Sequence, residues 1–399
     1  MNSQQILRLI AVGVLGIALM ACSSDAATPA STANNASVAT LGPRASSDVD
    51  AGNADPSIAP STVVADCGNA CTLRQVATSK GITFGAAVAE VLLSSDPAYA
   101  QAVAANFNSL TPENEMKLAF IHPTQDTWNF GPADTLVDFA QAHDMSVRGQ
   151  TLVWGQQYGD GVPEWLRAIQ DPAQFQAAMI DSINTTLAHF KGRVFRWDVV
   201  NEPFVYGSAE IDRNVFVERL GIEYIDIAFR AAHEADPQAS LWLNEAFTEY
   251  QPARAEALYN LVKSLVDKGV PIDGVGLQTH LIIDSPVAAG SVESMVERLR
   301  GLGVQVALTE IDVPTGPTRD EAAQVALYTQ VIGECLHAGC TDIATWGVGD
   351  PNTWLDTPQL RAANVLLAPF ANPSNPLLLD ANYKPKPAYE AVKELITDL

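Results

Sequence analysis

The run F-R-W-D-V-V-N-E-P, residues 195–203, decides how this chain is read. It is a short apolar strand pattern that ends in a carboxylate, Glu202. A second run of the same kind, V-Q-V-A-L-T-E-I-D-V, spans residues 304–313 and carries Glu310 near its end. Short apolar runs rich in β-branched residues read as buried strands of a parallel sheet. A glutamate at the mouth of such a strand has no packing role. The 108-residue interval between the two leaves room for two intervening strand–helix units. That spacing suits an α/β fold of the (β/α)8 TIM barrel type, whose chemistry sits at the C-terminal ends of its strands.

Working outward, the pattern recurs. Candidate strands lie at 82–88, 105–111, 146–154, 194–201, 240–244, 274–280, 305–311 and 343–348. Eight is the barrel number. The gaps carry helix punctuation. Asp171-Pro172 reads as an N-cap and first-turn proline, with Gly192 ending that helix. Thr318 with Glu321 reads as a capping box. Pro237 and Gly269 follow the ends of two more helices. The 399 residues suffice for one barrel with extras, and no internal repeat or second folded domain is visible.

The first 21 residues read as a secretory signal: Ile6 to Met20 is nearly all apolar, broken only by Arg8. The run L-M-A-C at 19–22 resembles the bacterial lipobox, which implies lipidation at Cys22. Residues 22–66 are rich in Ala, Ser, Thr, Asn, Asp and Pro, with one basic residue (Arg44) and no aromatic. Such a segment buries too little apolar surface to offset chain entropy and is expected to be a tether. The catalytic domain is expected at 67–399. The reading is an exported monomer, at the cell surface or outer membrane through its lipid anchor, or else secreted.

After Cys22, four cysteines remain in two close pairs, Cys67 with Cys71 and Cys335 with Cys340. In an oxidising compartment each pair is expected to close a local disulfide. The histidines are not spaced around them as zinc ligands would be, and no metal or organic cofactor is implied. The formal net charge of -23 argues against a nucleic-acid partner, for which a basic patch is the usual footprint.

Two carboxylates at separate strand ends suit glycosidic bond cleavage. One holds a proton for the leaving oxygen, and the other attacks the sugar or activates water. Glu310 and Asp312 lie two apart, so on a strand both share one face. Gln278 and His280 repeat that spacing one strand earlier. Adjacent strands would therefore gather all four at one mouth, with an imidazole placed to hold a carboxylate ionised.

Beyond these residues the chain resembles glycoside hydrolase family 10, the retaining endo-β-1,4-xylanases, over about residues 80–395. The motifs are N-S-L-T-P-E-N-E-M-K (108–117), V-R-G-Q-T-L-V-W (147–154), W-D-V-V-N-E-P (197–203), G-L-Q-T-H-L (276–281), L-T-E-I-D-V (308–313), T-W-G-V-G-D (345–350) and Y-K-P-K-P-A-Y (383–389). The resemblance implies Glu202 as acid/base, Glu310 as nucleophile, and Asn201 on the 2-hydroxyl of the sugar under attack. It implies His280, oriented by Asp312, against Glu310. Glu113, Asn114, Lys117 and Gln278 would bind sugars, and Trp154, Trp346 and Trp354 would wall them. The substrate implied is xylan or xylo-oligosaccharides.

The sequence departs from the family pattern in places. The family's R-G-H-T-L-V-W-H-S-Q is R-G-Q-T-L-V-W-G-Q-Q here, so Gln150 and Gly155 replace two histidines. Tyr158 to Gly161 look inserted. Gln150, at the sugar-facing position, keeps an amide donor but carries no charge. Gly155 removes a side chain. N-E-A at 244–246 replaces N-D-Y, and Leu118 replaces a tryptophan. Two other readings therefore stand beside xylan hydrolysis: a related β-glycosidase with altered sugar or chain-length preference, and a catalytically weakened surface xylan-binding lipoprotein.

Overall fold

The structure, a computed structural model, describes residues 70–155, 161–283, 285, 287–316, 318–357 and 373–399. The expected signal, Cys22, the tether, Cys67, and Tyr158–Asp160 of the expected insertion lie outside the described residues.

Eight parallel strands close into a barrel in chain order. They are β1 (Thr83–Val88), β2 (Ser109–Pro112), β3 (Ser146–Trp154), β4 (Arg196–Asn201), β5 (Ser240–Glu245), β6 (Gly274–Leu277), β7 (Gln305–Ile311) and β8 (Asp342–Thr345). β8 pairs with β1, so no edge is left. The principal helices α1 (Pro97–Asn106), α2 (Gly131–Ala142), α3 (Pro172–Phe190), α4 (Tyr224–Ala235), α5 (Pro252–Asp267), α6 (Ser291–Arg300) and α7 (Glu321–His337) fill the connections, and α8 (Pro387–Thr397) follows β8. Shorter helices, Val215–Leu220 among them, lie in the connections.

Local chemistry explains these elements. Asp171 caps α3 by accepting from Gln174 N at 2.9 Å, Pro172 opens the helix, and Gly192 turns the chain after it at φ 77°. Phe175, Met179, Ile183 and Leu187 recur every four residues on the buried face of α3. Each such side chain contributes about 1.5–3 kcal/mol when fully buried. Gly269 turns the chain after α5 at φ 63°.

The barrel interior is partly ionic. Arg148 donates to Asp198 (Nε to Oδ2, 2.9 Å), Arg196 pairs with Asp342, and both guanidinium groups lie 4.9 Å from the Trp242 ring centre. β6 makes room for this filling. A Cβ on Gly274 would stand 2.4 Å from Trp242, and one on Gly276 would stand 2.2 Å from Asn244 Oδ1.

Four sequence expectations are corrected. The second strand, expected at 105–111, is Ser109–Pro112, because the alanine-rich run before it continues α1 to Asn106. Its Asn108 instead ties the turn, accepting from Phe84 N and donating to Ile82 O. The helix expected to be capped by Thr318 is capped by Asp320, whose side chain accepts from Ala323 N. Asp is itself a strong N-cap and stands directly before the first helical residue. The strands expected at 274–280 and 343–348 end at Leu277 and Thr345, because positive φ at Thr279 and Gly347 turns the chain out of the ladder. Cys335 and Cys340 form the expected disulfide between the end of α7 and the approach to β8.

Candidate active site

The site begins with register. Trp154 of β3 pairs with Asn201 of β4, which pairs with Asn244 of β5, so an indole and two amides stand at one level of the barrel mouth. Glu202 follows Asn201 directly and takes a left-handed conformation, φ 53°. Glu310 is still inside β7. Both glutamates are buried.

A bridge of amides joins the two carboxylates. Asn244 Nδ2 donates to Glu310 Oε1 at 2.6 Å and to Asn201 Oδ1 at 2.9 Å. Gln278 Nε2 donates to Glu202 Oε1 at 2.8 Å and to the same Asn201 Oδ1 at 3.2 Å. Asn201 Nδ2 reaches Glu202 Oε1 at 3.3 Å. Thr309 Oγ1 fixes the bridge by donating to Asn244 Oδ1 at 2.7 Å. Asn201 Oδ1 is therefore the common acceptor of two amide nitrogens that also donate to the acids.

Glu310 has two further partners. Gln150 Nε2 donates to its Oε1 at 2.7 Å, and His280 Nε2 lies 3.2 Å from its Oε2. His280 Nδ1 lies 2.8 Å from Asp312 Oδ2, which also accepts from Trp354 Nε1 at 2.7 Å. Burial alone would drive the proton from this imidazole. Asp312 and Glu310 outweigh it and hold the His280 pKa well above its ordinary value. Each ring nitrogen thus faces one carboxylate.

Glu202 is surrounded from other loops. Its Oε2 accepts from Trp154 Nε1 at 3.1 Å and from the Tyr206 hydroxyl at 2.8 Å. Lys117 Nζ sits 5.0 Å from the Trp154 ring centre and donates to Asn114 Oδ1 at 2.7 Å. Burial lowers the Lys117 pKa against the pull of Glu113, Glu310 and Glu202. Burial raises the Glu113 pKa, opposed by Lys117. Trp346 and Trp354 stand beside His280, with ring centres 6.4 and 5.1 Å away.

The expected residues thus converge at one mouth, with two differences in detail. Gln150, expected to face the sugar, bonds Glu310 itself. Gln278 and His280 lie beyond the end of β6, and it is the turn at Thr279, φ 64°, that sends one to Glu202 and the other to Glu310.

Sequence reasoning missed two residues and a compensation. Asn244 was seen only as part of a variant motif. A buried asparagine two places after Trp242, on the interior face of β5, was the available signal. Tyr206 gave no signal, because its contact depends on how the loop after β4 folds back. The gap expected at Gly155 is filled: a Cβ there would stand 2.2 Å from Asn214 Cγ. Asn214 caps the Val215–Leu220 helix through Phe216 N and Val217 N.

Two buried carboxylates, bridged by amides and backed by His280, can serve one sugar from two sides. Comparison with known proteins agrees with that chemistry. A family model described as glycosyl hydrolase family 10 matches residues 72–395. A beta-1,4-xylanase of Dictyoglomus thermophilum is 38% identical over 328 residues, 78% of this chain and 88% of that protein. Endo-1,4-beta-xylanase 3 of Hypocrea jecorina is 34% identical over 324 residues, 80% of this chain and 84% of that protein. The crystal structure of xylanase 10B from Thermotoga petrophila in complex with xylobiose matches with a TM-score of 0.74 and 35% identity, covering 82% of this chain and 97% of that one.

Proposed function

Since the chain belongs to glycosyl hydrolase family 10, we propose that its bridged glutamates carry out endo-1,4-β-xylanase chemistry. The enzyme hydrolyses internal β-1,4-xylosidic bonds of xylan and retains configuration at the cleaved carbon. Glu202 gives its proton to the leaving glycosidic oxygen while Glu310 attacks the sugar, forming a covalent glycosyl-enzyme. Glu202, now ionised, takes a proton from the water that releases the sugar. The observation that carries these assignments is the amide bridge. It ties Glu202 and Glu310 to the common acceptor Asn201 Oδ1, within reach of one sugar.

The surroundings suit each role. Glu310 accepts from Gln150 and Asn244 and lies 3.2 Å from His280 Nε2, which holds its carboxylate in place for attack. Asn201 offers its amide nitrogen to the sugar 2-hydroxyl, a contact that strengthens in the transition state. Lys117, Asn114, Glu113 and Gln278 bind sugars, with Trp154, Trp346 and Trp354 as walls for their apolar faces. The Gln150 and Gly155 exchanges favour a sugar or chain-length preference of the enzyme's own.

Incubation with an aryl xylobioside and with xylan tests the function. Release of aglycone and of reducing ends is expected, lost in Glu310→Ala and kept in a surface variant. Binding of xylan without turnover would contradict it.

The N-terminal reading is also proposed here. The apolar run 6–20 and L-M-A-C at 19–22 support export, with lipidation at Cys22 and a tether at 22–66 holding a monomeric catalytic body off the membrane. A mass spectrum of the mature N-terminus tests it. Acylated Cys22 at the new terminus is expected, and an unmodified terminus further along would overturn it.

A further inference from the structure

Among the described residues Trp154, Gln278, Asn201 and Tyr206 donate to Glu202, and they are not equivalent. Trp154 Nε1, Gln278 Nε2 and Asn201 Nδ2 are nitrogen donors that cannot accept. The Tyr206 hydroxyl, 2.8 Å from Glu202 Oε2, can do both. An acid/base residue alternates between carboxyl and carboxylate within each turnover. Of these four partners, only Tyr206 can match both forms by turning its hydroxyl.

The loop that carries Tyr206 is held by a buried ion pair the reaction does not use. Arg254 of α5 has a fully buried side chain, as does Glu245 at the end of β5, and the two meet at 2.7 Å. Arg254 Nη1 also donates to Val205 O at 2.5 Å and to Ser208 O at 2.8 Å, on either side of Tyr206. Glu245 accepts from Ala246 N at 2.7 Å and from Phe204 N at 3.3 Å. The Tyr206 ring packs edge-on against Phe247, centres 5.8 Å apart. A guanidinium that forks onto two carbonyls and a carboxylate fixes a loop more narrowly than an ammonium can.

We propose that Tyr206 is a positioning residue that follows the protonation state of Glu202, and that the Arg254–Glu245 pair holds it in place. This rests on the assignment of Glu202 as acid/base. In the first step the proton moves from Glu202 to the leaving oxygen, the bond from that oxygen to the sugar breaks, and the bond to Glu310 forms. Tyr206 keeps its own proton throughout. It leaves the carboxyl proton free to point at the leaving oxygen before transfer, and donates to the carboxylate afterwards.

The test compares kcat/KM on two substrates that differ in need for an acid. A xylo-oligosaccharide has a poor leaving group, and a dinitrophenyl xylobioside leaves without protonation. Tyr206→Phe should lower kcat/KM on the oligosaccharide about tenfold, the equivalent of one hydrogen bond, and leave the dinitrophenyl substrate unchanged. Arg254→Lys should give the same selective loss. A merely structural role would lower both substrates together. Glu202→Ala in parallel separates the two claims. If it lowers both substrates equally, the assignment of Glu202 falls. If it is selective while Tyr206→Phe is not, the Tyr206 proposal is overturned. Tyr206→Phe keeps the ring on Phe247 and decides the matter even if Arg254→Lys does not fold.

Discussion

Asn214 stands where a side chain at position 155 would go, with its Cγ 2.2 Å from the place of a Cβ on Gly155. The two positions lie far apart in sequence, and they trade one side chain for another where they meet. The Asn214 side chain therefore takes the room that the first atom of a side chain at 155 would need.

Gly155→His is expected to lower stability by about 1–3 kcal/mol, the usual cost of forcing extra atoms into a filled site. Asn214→Gly gives up the helix cap at a cost of a few tenths of a kcal/mol. The double variant should be more stable than the sum of the single effects predicts. A double-mutant cycle in urea checks this, and additive effects would show that the two positions do not compete for space.

Asn244 joins the two carboxylates, so its loss should reach both. Asn244→Ala removes donors from Glu310 and from Asn201 and leaves the Thr309 hydroxyl without its acceptor. The expected loss in kcat/KM on an aryl xylobioside is about a hundredfold, with stability reduced by about 1–3 kcal/mol. Steady-state kinetics with a denaturation curve measures both. Unchanged kinetics would remove Asn244 from the site.

Gln150 touches Glu310 directly, at 2.7 Å. Gln150→His is expected to change kcat while the melting temperature moves little. Unfolding of this variant would mark position 150 as structural.

Stability should depend on pH through Glu245. Burial raises its pKa to about 7, against the lowering influence of Arg254. A carboxyl whose folded pKa is raised contributes most stability below its unfolded pKa. That contribution is lost as pH rises through the folded value of about 7. Melting temperature should therefore fall between weakly acidic and neutral pH. Glu245→Gln, which cannot titrate, should flatten that fall. Parallel curves for both proteins would contradict it.

The parts of this molecule legible in its sequence were those encoded locally. Apolar β-branched runs marked the strands, and Glu202 and Glu310 stood out because a charged residue at a strand mouth does not pack. Asp171-Pro172 and Gly192 bounded α3 because capping is a short-range effect. The start of β2 was not legible, since residues 105–108 suit a strand until the alanine-rich helix before them is seen to continue. Thr318 lost its capping role to Asp320 because two cap-forming residues stood two apart. Tyr206, the Arg254–Glu245 pair and the Gly155–Asn214 exchange were beyond reach. Each depends on loops from different strands meeting in space, and no periodicity records that.

The account turns on Glu310 as the residue that attacks the sugar. The most direct measurement is mass spectrometry of the enzyme after incubation with a dinitrophenyl 2-deoxy-2-fluoro-xylobioside. Its fluorine slows both formation and breakdown of a glycosyl-enzyme, and the dinitrophenyl leaving group speeds formation alone, so the intermediate accumulates. The account predicts one fluoroglycosyl unit per chain, carried on the peptide that contains Glu310. An adduct on another residue, or turnover with no adduct and inverted product, would contradict it.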